Sequence, residues 1–138
     1  MAEITYDSDL TGIDWASVKE ILAADNWDNG RSPEQYRRSF ANSYAVVFAR
    51  DGTEIVGMVR ALSDGVCNAY IVDVWTHSRL RRQGIATRMM EILLEKLPGQ
   101  HVYLFTDEYV DFYAKLGFKP WETGMGKVVG TWLENNPG

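Results

Sequence analysis

The chain is 138 residues long and 46% hydrophobic, with five Trp, seven Tyr and five Phe, which is ample apolar side chain for one compact core. A net charge of −5 and a sequence pI near 5.0 argue against nonspecific nucleic-acid binding, which needs a basic surface, and suit a cationic partner such as an amine. No apolar run approaches the roughly 20 residues of a membrane helix. Met1-Ala2-Glu3-Ile4 has no basic region followed by an apolar one, so no signal peptide is expected, and the single Cys67 leaves no intrachain disulfide, which fits a reducing cytoplasm.

Residues 4–6 read as a short strand, and residues 14–24 as a helix with Trp15, Val18, Ile21 and Leu22 on one side. Ser32-Pro33-x-Gln35 supplies a cap, a first-turn proline and a capping-box Gln, so a second helix runs to about Phe40. Residues 43–50 and 54–62 flank Asp51-Gly52, a hairpin signal. A turn at Asp64-Gly65 leads into a strand over 69–76. Residues 85–97 place Ile85, Met89, Met90, Leu93, Leu94 and Leu97 at helical spacing, and Pro98-Gly99 stops them. A strand over 101–106, a short helix capped by Asp107 and ending at Gly117, and strands over 118–121 and 127–133 complete the pattern. The expectation is one mixed α/β domain over 1–138, with a central sheet of six to seven strands, about four helices and a flexible tail at about 134–138.

Between the fourth strand and the following helix lies Arg81-Arg82-Gln83-Gly84-Ile85-Ala86. A glycine turn entering a helix presents backbone N–H groups to an anion, and Gly84 lets a ligand approach closely. Arg79, Arg81, Arg82 and Arg88 cluster there in an otherwise acidic chain. Alone, such a cluster also reads as a solvated surface. A second signal is Phe112-Tyr113-Ala114-Lys115-Leu116-Gly117-Phe118.

With both motifs the chain resembles the GNAT superfamily of acyl-CoA-dependent N-acyltransferases. Arg81, Gly84 and Ala86 match the family's phosphate signature, and residues 112–118 match every fixed position of Phe-Tyr-x-Lys-x-Gly-Phe. The resemblance spans about residues 69–121 and implies acetyl-CoA as cosubstrate, a primary amine of a small molecule as acceptor, and direct transfer within a ternary complex. It further implies that the backbone of Val74, Trp75 and Thr76 contacts the pantetheine arm, with a residue-74 N–H aimed at the thioester carbonyl. Gln83, Gly84, Ile85, Ala86 and Thr87, assisted by Arg81 and Arg82, would hold the pyrophosphate. Tyr113 becomes the acid for the departing thiolate; a phenol near pKa 10 keeps its proton at neutral pH. Outside its motif, a tyrosine on an apolar helix face also reads as core.

Asp73 is a charged residue in an apolar strand, and glucosamine-6-phosphate N-acetyltransferases within the superfamily look similar there. That implies a place beside the acceptor, as an ammonium anchor or an orienter of water; an Asp bonded to neighbouring backbone is the plain structural alternative. Direct proton abstraction from an alkylammonium would cost about 9 kcal/mol at reference pKa values. Tyr70 shares strand parity with Val72 and Val74, where some relatives carry a glutamate base. His77 at the strand exit is placed where a base could stand, with a surface residue as the plain alternative, and His101 reads as a surface residue. The chain departs from the family at Ser78, where Pro is frequent, and at Tyr109, where an Asn often contacts the cofactor. Acceptor selection is expected from Trp27, Asp28, Asn29 and Arg31 with Trp121, Glu122 and Met125, by cation–π and ionic contacts; a loop packed by its own Trp is the alternative. No metal-ligand spacing is visible. A non-catalytic CoA-binding sensor, an enzyme acting on protein amines, and a homodimer are compatible with the same residues.

Overall fold

The computed structural model describes residues 3–132. The elements are β1 (Ile4–Asp7), α1 (Trp15–Ala24), α2 (Pro33–Ala41), β2 (Ala45–Asp51), β3 (Glu54–Ser63), β4 (Asn68–Thr76), a 3-10 turn (Ser78–Leu80), α3 (Ile85–Glu95), β5 (His101–Tyr103) and α4 (Val110–Lys115). The chain divides into two compact units, Met1–Tyr103 and Leu104–Gly138.

The first unit is a five-stranded mixed sheet ordered β1-β2-β3-β4-β5. The first three pairings are antiparallel, and β4 pairs with β5 in parallel. Local chemistry places the helices on it. Asp14 caps α1 by accepting from the Ser17 N–H at 3.1 Å. Ser32 and Gln35 form a reciprocal capping box at the start of α2, with Pro33 where no N–H is needed. One face of the sheet joins α1 and α2 in an aromatic core of Trp15, Tyr36, Phe40 and Phe48 with Val18, Leu22, Met58 and Trp75. On the other face α3 buries Met89, Met90 and Leu93. Gly57 makes that approach possible, because a Cβ there would stand 3.1 Å from Met89 Cε and 3.2 Å from Ala49 Cβ.

Three expectations are corrected. The sheet has five strands, not six to seven: among the described residues 104–132 contain no strand. Every residue from Lys119 to Trp132 is exposed, so the apolar positions there have no buried face to alternate against. Leu133, the end of the expected last strand, and the expected tail at 134–138 lie outside the described residues. The fifth strand ends at Tyr103 rather than Thr106, and α4 starts at Val110 behind Tyr109 rather than behind Asp107. There it is the Thr106 hydroxyl that accepts the Tyr109 N–H, at 3.1 Å.

The β3–β4 register changes in mid-strand: Val72 faces Arg60 and Trp75 faces Met58, so Asp73 and Val74 together stand opposite Val59. This is a β-bulge, and Asp73 adopts a left-handed φ of 59°. Side chains beyond it change faces. Tyr70 and Val72 therefore share a face with Trp75 and not, as simple alternation predicts, with Val74.

Phe40 is fully buried, with ring centroids of Trp15, Tyr36 and Phe48 at 5.2, 5.0 and 5.7 Å. Phe40→Ala is expected to cost about 3–5 kcal/mol of stability, read as a lower urea midpoint at unchanged slope.

Candidate active site

The site begins where β4 loses its neighbour. The β4–β5 ladder runs from Asn68↔His101 to Tyr70↔Tyr103, and β4 continues to Thr76 after β5 has ended. A bulge leaves backbone groups outside the regular ladder, and Val74, the residue expected to donate to the thioester carbonyl, is one of its two members. Two residues on, the Thr76 hydroxyl oxygen is buried without a hydrogen-bond partner. An unmade bond of this kind is costly in a finished core and is an open valence for a ligand.

From Thr76 the chain crosses the 3-10 turn, anchored by the buried Leu80, to the glycine turn. Arg82 and Gly84 both take positive φ, 64° and 82°. A Cβ on residue 84 would meet nothing within 4 Å, so the backbone angle rather than crowding calls for glycine. Gly84 is the N-cap of α3, no side chain caps that helix, and no acidic residue occupies its first turn. The N–H groups of Ile85, Ala86 and Thr87 thus lack the usual side-chain acceptor, and the helix dipole adds partial positive charge to them. Gln83 is exposed beside them. Backbone donors, a left-handed glycine and an orphaned hydroxyl together fit a phosphorylated ligand.

The four arginines divide. Arg79 pairs with Glu54 at 3.2 Å and Asp51 at 3.8 Å, and Arg88 with Glu91 at 3.6 Å. Arg81 donates through Nε to the Thr76 carbonyl at 3.1 Å. Among the described residues, Arg82 in the turn itself has no carboxylate partner.

Sequence reasoning missed Asp25, the C-cap of α1. Its carboxylate, 5% exposed, accepts from the Trp75 indole at 3.0 Å, from the Ser78 N–H at 3.1 Å and from the Ser78 hydroxyl. Burial works against its charge, but these hydrogen bonds outweigh it and hold the pKa below the ordinary carboxylate value. The one signal available in the sequence was an acid at the negative end of a helix dipole, where acids are disfavoured.

The expected acceptor residues are already engaged. Asp73 accepts from Arg60 Nε at 2.6 Å, and Arg60 reaches the Ser43 hydroxyl at 3.2 Å and lies over the Phe40 ring. The structural partner of Asp73 is thus a guanidinium in place of neighbouring backbone. Asp28 is bound by the buried Lys19, whose hydrogen bond depresses its pKa. Lys19 also donates to Asn29 Oδ1 at 2.8 Å and sits over the Tyr36 ring. Trp27 is partly buried against the aromatic core. His77 is a local cap, its Nδ1 accepting from the Arg79 N–H at 3.2 Å, and His101 stacks on Tyr103. No group of three or more His, Cys, Asp or Glu among the described residues could hold a metal, and no helix among them is long and apolar enough to cross a membrane.

Tyr113 and Trp121 belong to the second unit. Tyr113 is buried on α4 against Phe112 and Phe118, with ring centroids at 4.9 and 5.9 Å. Burial, and secondarily Tyr109, raise its pKa above that of a free phenol, so it carries its proton at neutral pH. Trp121 is 70% exposed.

The sequence model of the Acetyltransferase (GNAT) family matches residues 15–118. Serotonin N-acetyltransferase 2, chloroplastic, of Oryza sativa subsp. japonica is 31% identical over 117 residues. That alignment covers 78% of this chain but 58% of the rice protein, so the chain spans less than two thirds of that relative's length. A solved GNAT-family acetyltransferase from Streptococcus pneumoniae TIGR4 superposes with a TM-score of 0.75 at 25% identity, covering 94% of this chain and 98% of that one. Glucosamine-6-phosphate N-acetyltransferase from Arabidopsis thaliana shares the fold, with a TM-score of 0.69 at 16% identity over 93% and 99% of the two chains.

The orphaned Thr76 hydroxyl separates a ligand role from a structural one. Thr76→Val, of nearly equal shape, is expected to leave the free protein as stable or up to about 1 kcal/mol more stable in urea. In calorimetry it should weaken acetyl-CoA binding by about 5- to 10-fold.

Proposed function

Because the chain belongs to the acetyltransferase (GNAT) family, we propose that it acts as a single N-acetyltransferase domain, moving an acetyl group from acetyl-CoA directly to the primary amine of a small molecule in a ternary complex. The observation that carries this reading is the path of β4: it leaves the β5 ladder, bulges at Asp73, and delivers the chain past a buried unpartnered hydroxyl to an uncapped helix N-terminus. Acetyl-CoA supplies an activated acetyl thioester. Backbone N–H groups from Gln83 to Thr87, with Arg81 and Arg82, hold the pyrophosphate. Val74, Trp75 and Thr76 line the pantetheine arm, and the Val74 N–H stabilises the carbonyl oxygen as negative charge builds on it. As the amine nitrogen bonds to the carbonyl carbon and the carbon–sulfur bond breaks, Tyr113 gives its phenolic proton to the thiolate. The proton shed by the amine passes to solvent water, from which the phenolate is restored. The role rests on the Phe112–Phe118 motif, and burial keeps the hydroxyl protonated at neutral pH.

On the acceptor side, Asp73 orients the incoming amine. One of its oxygens is taken by Arg60, which suits an orienting hydrogen-bond acceptor better than a proton-abstracting base. Trp27 and Trp121 supply aromatic surface, and Asp28, fixed by Lys19, shapes the loop that carries Trp27. The rice relative is named for serotonin, which puts arylalkylamines first in an acceptor panel.

Thiol release from acetyl-CoA across a panel of amines, with CoA binding followed in the same samples, tests the proposal. Tyr113→Phe is expected to lower kcat by about 100-fold or more while leaving the KM for acetyl-CoA within a few-fold. Because the phenol must be protonated to act and burial raises its pKa, the Tyr113-dependent rate should show no loss on the alkaline side until pH exceeds the range in which an ordinary phenol ionises. Binding without turnover on any amine would instead assign the chain to a CoA sensor, and unchanged turnover in Tyr113→Phe would remove Tyr113 from the mechanism.

A further inference from the structure

Asp25 stands where the acceptor loop begins and where the cosubstrate strand ends. The groups that bond to its carboxylate are all donors. The Trp75 indole N–H, the Ser78 N–H and the Ser78 hydroxyl bond to it directly. His77 Nδ1 and Arg81 Nη2 each lie 3.8 Å away. All of these partners come from residues 75–81, the stretch that carries β4 through the 3-10 turn to the phosphate turn. Arg81 is doubly held, since its Nε also donates to the Thr76 carbonyl.

A buried carboxylate is expensive to desolvate, and this one sits at the unfavourable end of a helix. A neutral amide would not replace it. Asn offers one acceptor oxygen and turns an NH2 group toward partners that are themselves donors. The arrangement therefore calls for an anion with two acceptor oxygens.

We infer that Asp25 is a positioning residue for acyl-CoA recognition: its carboxylate pins the exit of β4 to the C-terminus of α1 and holds the Arg81 guanidinium beside Thr76, so that the phosphate turn is formed before the cosubstrate arrives. Preorganisation of this kind strengthens binding by removing the ordering cost at the moment of association. The inference rests on the acetyl-CoA reading of the turn.

The test compares Asp25→Asn and Ser78→Ala with the wild-type chain, measuring acetyl-CoA Kd by calorimetry, both KM values, kcat, and thermal unfolding. Asp25→Asn is expected to raise the acetyl-CoA Kd and KM by about 10-fold, with kcat and the amine KM within about 2-fold. Ser78→Ala, which removes one donor and keeps the carboxylate, should raise them by about 3-fold. A purely structural Asp25 would lower the melting temperature and the active fraction but leave the acetyl-CoA KM of the surviving enzyme unchanged, and that outcome overturns the inference. Equal rises in both KM values overturn it too, because they mean general distortion. Should Asp25→Asn fail to fold, Ser78→Ala alone decides. A wild-type chain that binds no acetyl-CoA overturns the functional reading and this inference together, whereas wild-type binding with two unaffected variants overturns the inference alone.

Discussion

β4 carries one more residue than β3 can pair, and the surplus is accommodated at Asp73 in a left-handed conformation that costs an L-residue about 1–2 kcal/mol. The consequences run in both directions along the strand. Before the bulge, Ala69 and Ile71 are buried on the face opposite Trp75, while Tyr70 and Val72 share the face of Trp75. Beyond it, Trp75 turns into the aromatic core under α1 and α2, where its indole N–H must find an acceptor. Asp25 is that acceptor, and through Ser78 it also fixes the path by which the chain leaves the sheet. The bulge, the buried indole and the turn into α3 are thus one linked arrangement. Arg60 stabilises its origin by pairing with the Asp73 carboxylate from the neighbouring strand.

Much of this architecture was legible because its determinants are local. The Ser32/Gln35 capping box, the Asp51-Gly52 hairpin and the apolar stripe of α3 each involve residues a few positions apart, and each appears where the pattern places it. The bulge was not legible. Strand parity assumes that every residue finds an opposite number, and only the register with β3 reveals that one does not. The segment from Phe118 onward fails for a related reason. Trp121, Val128, Val129 and Trp132 look like strand material, yet an apolar residue makes a strand only when another surface covers it, and here they are exposed.

The candidate site divides along the same line. The turn at Gly84 was legible as a candidate phosphate site because the glycine and the arginines around it fall within one short stretch, where the folded chain adds a positive φ and an uncapped helix. Thr76 could be named as a cosubstrate contact by resemblance, but the fact that its hydroxyl is buried and unpartnered belongs to the folded chain. Asp25 is separated from Trp75 and Ser78 by 50 and 53 positions, and nothing in its own neighbourhood announces them. Arg60 and Lys19, the partners of Asp73 and Asp28, were equally invisible, which is why both carboxylates looked available to an ammonium.

Those two pairings change how amine recognition has to work if the chain transfers acetyl groups. An alkylammonium is unreactive until it loses a proton, and an unpaired carboxylate beside it would favour the charged form and oppose that loss. With Arg60 on Asp73 and Lys19 on Asp28, each acid brings a cation with it. Such pairs still present oxygens as hydrogen-bond acceptors while contributing little net field, so they can orient an amine without holding it protonated. The overall charge of −5 can draw cations toward the protein at long range. At short range, selection would then fall to shape and to aromatic surface such as Trp27, and an acceptor with one amine on an aromatic body would suit that environment better than a polycation.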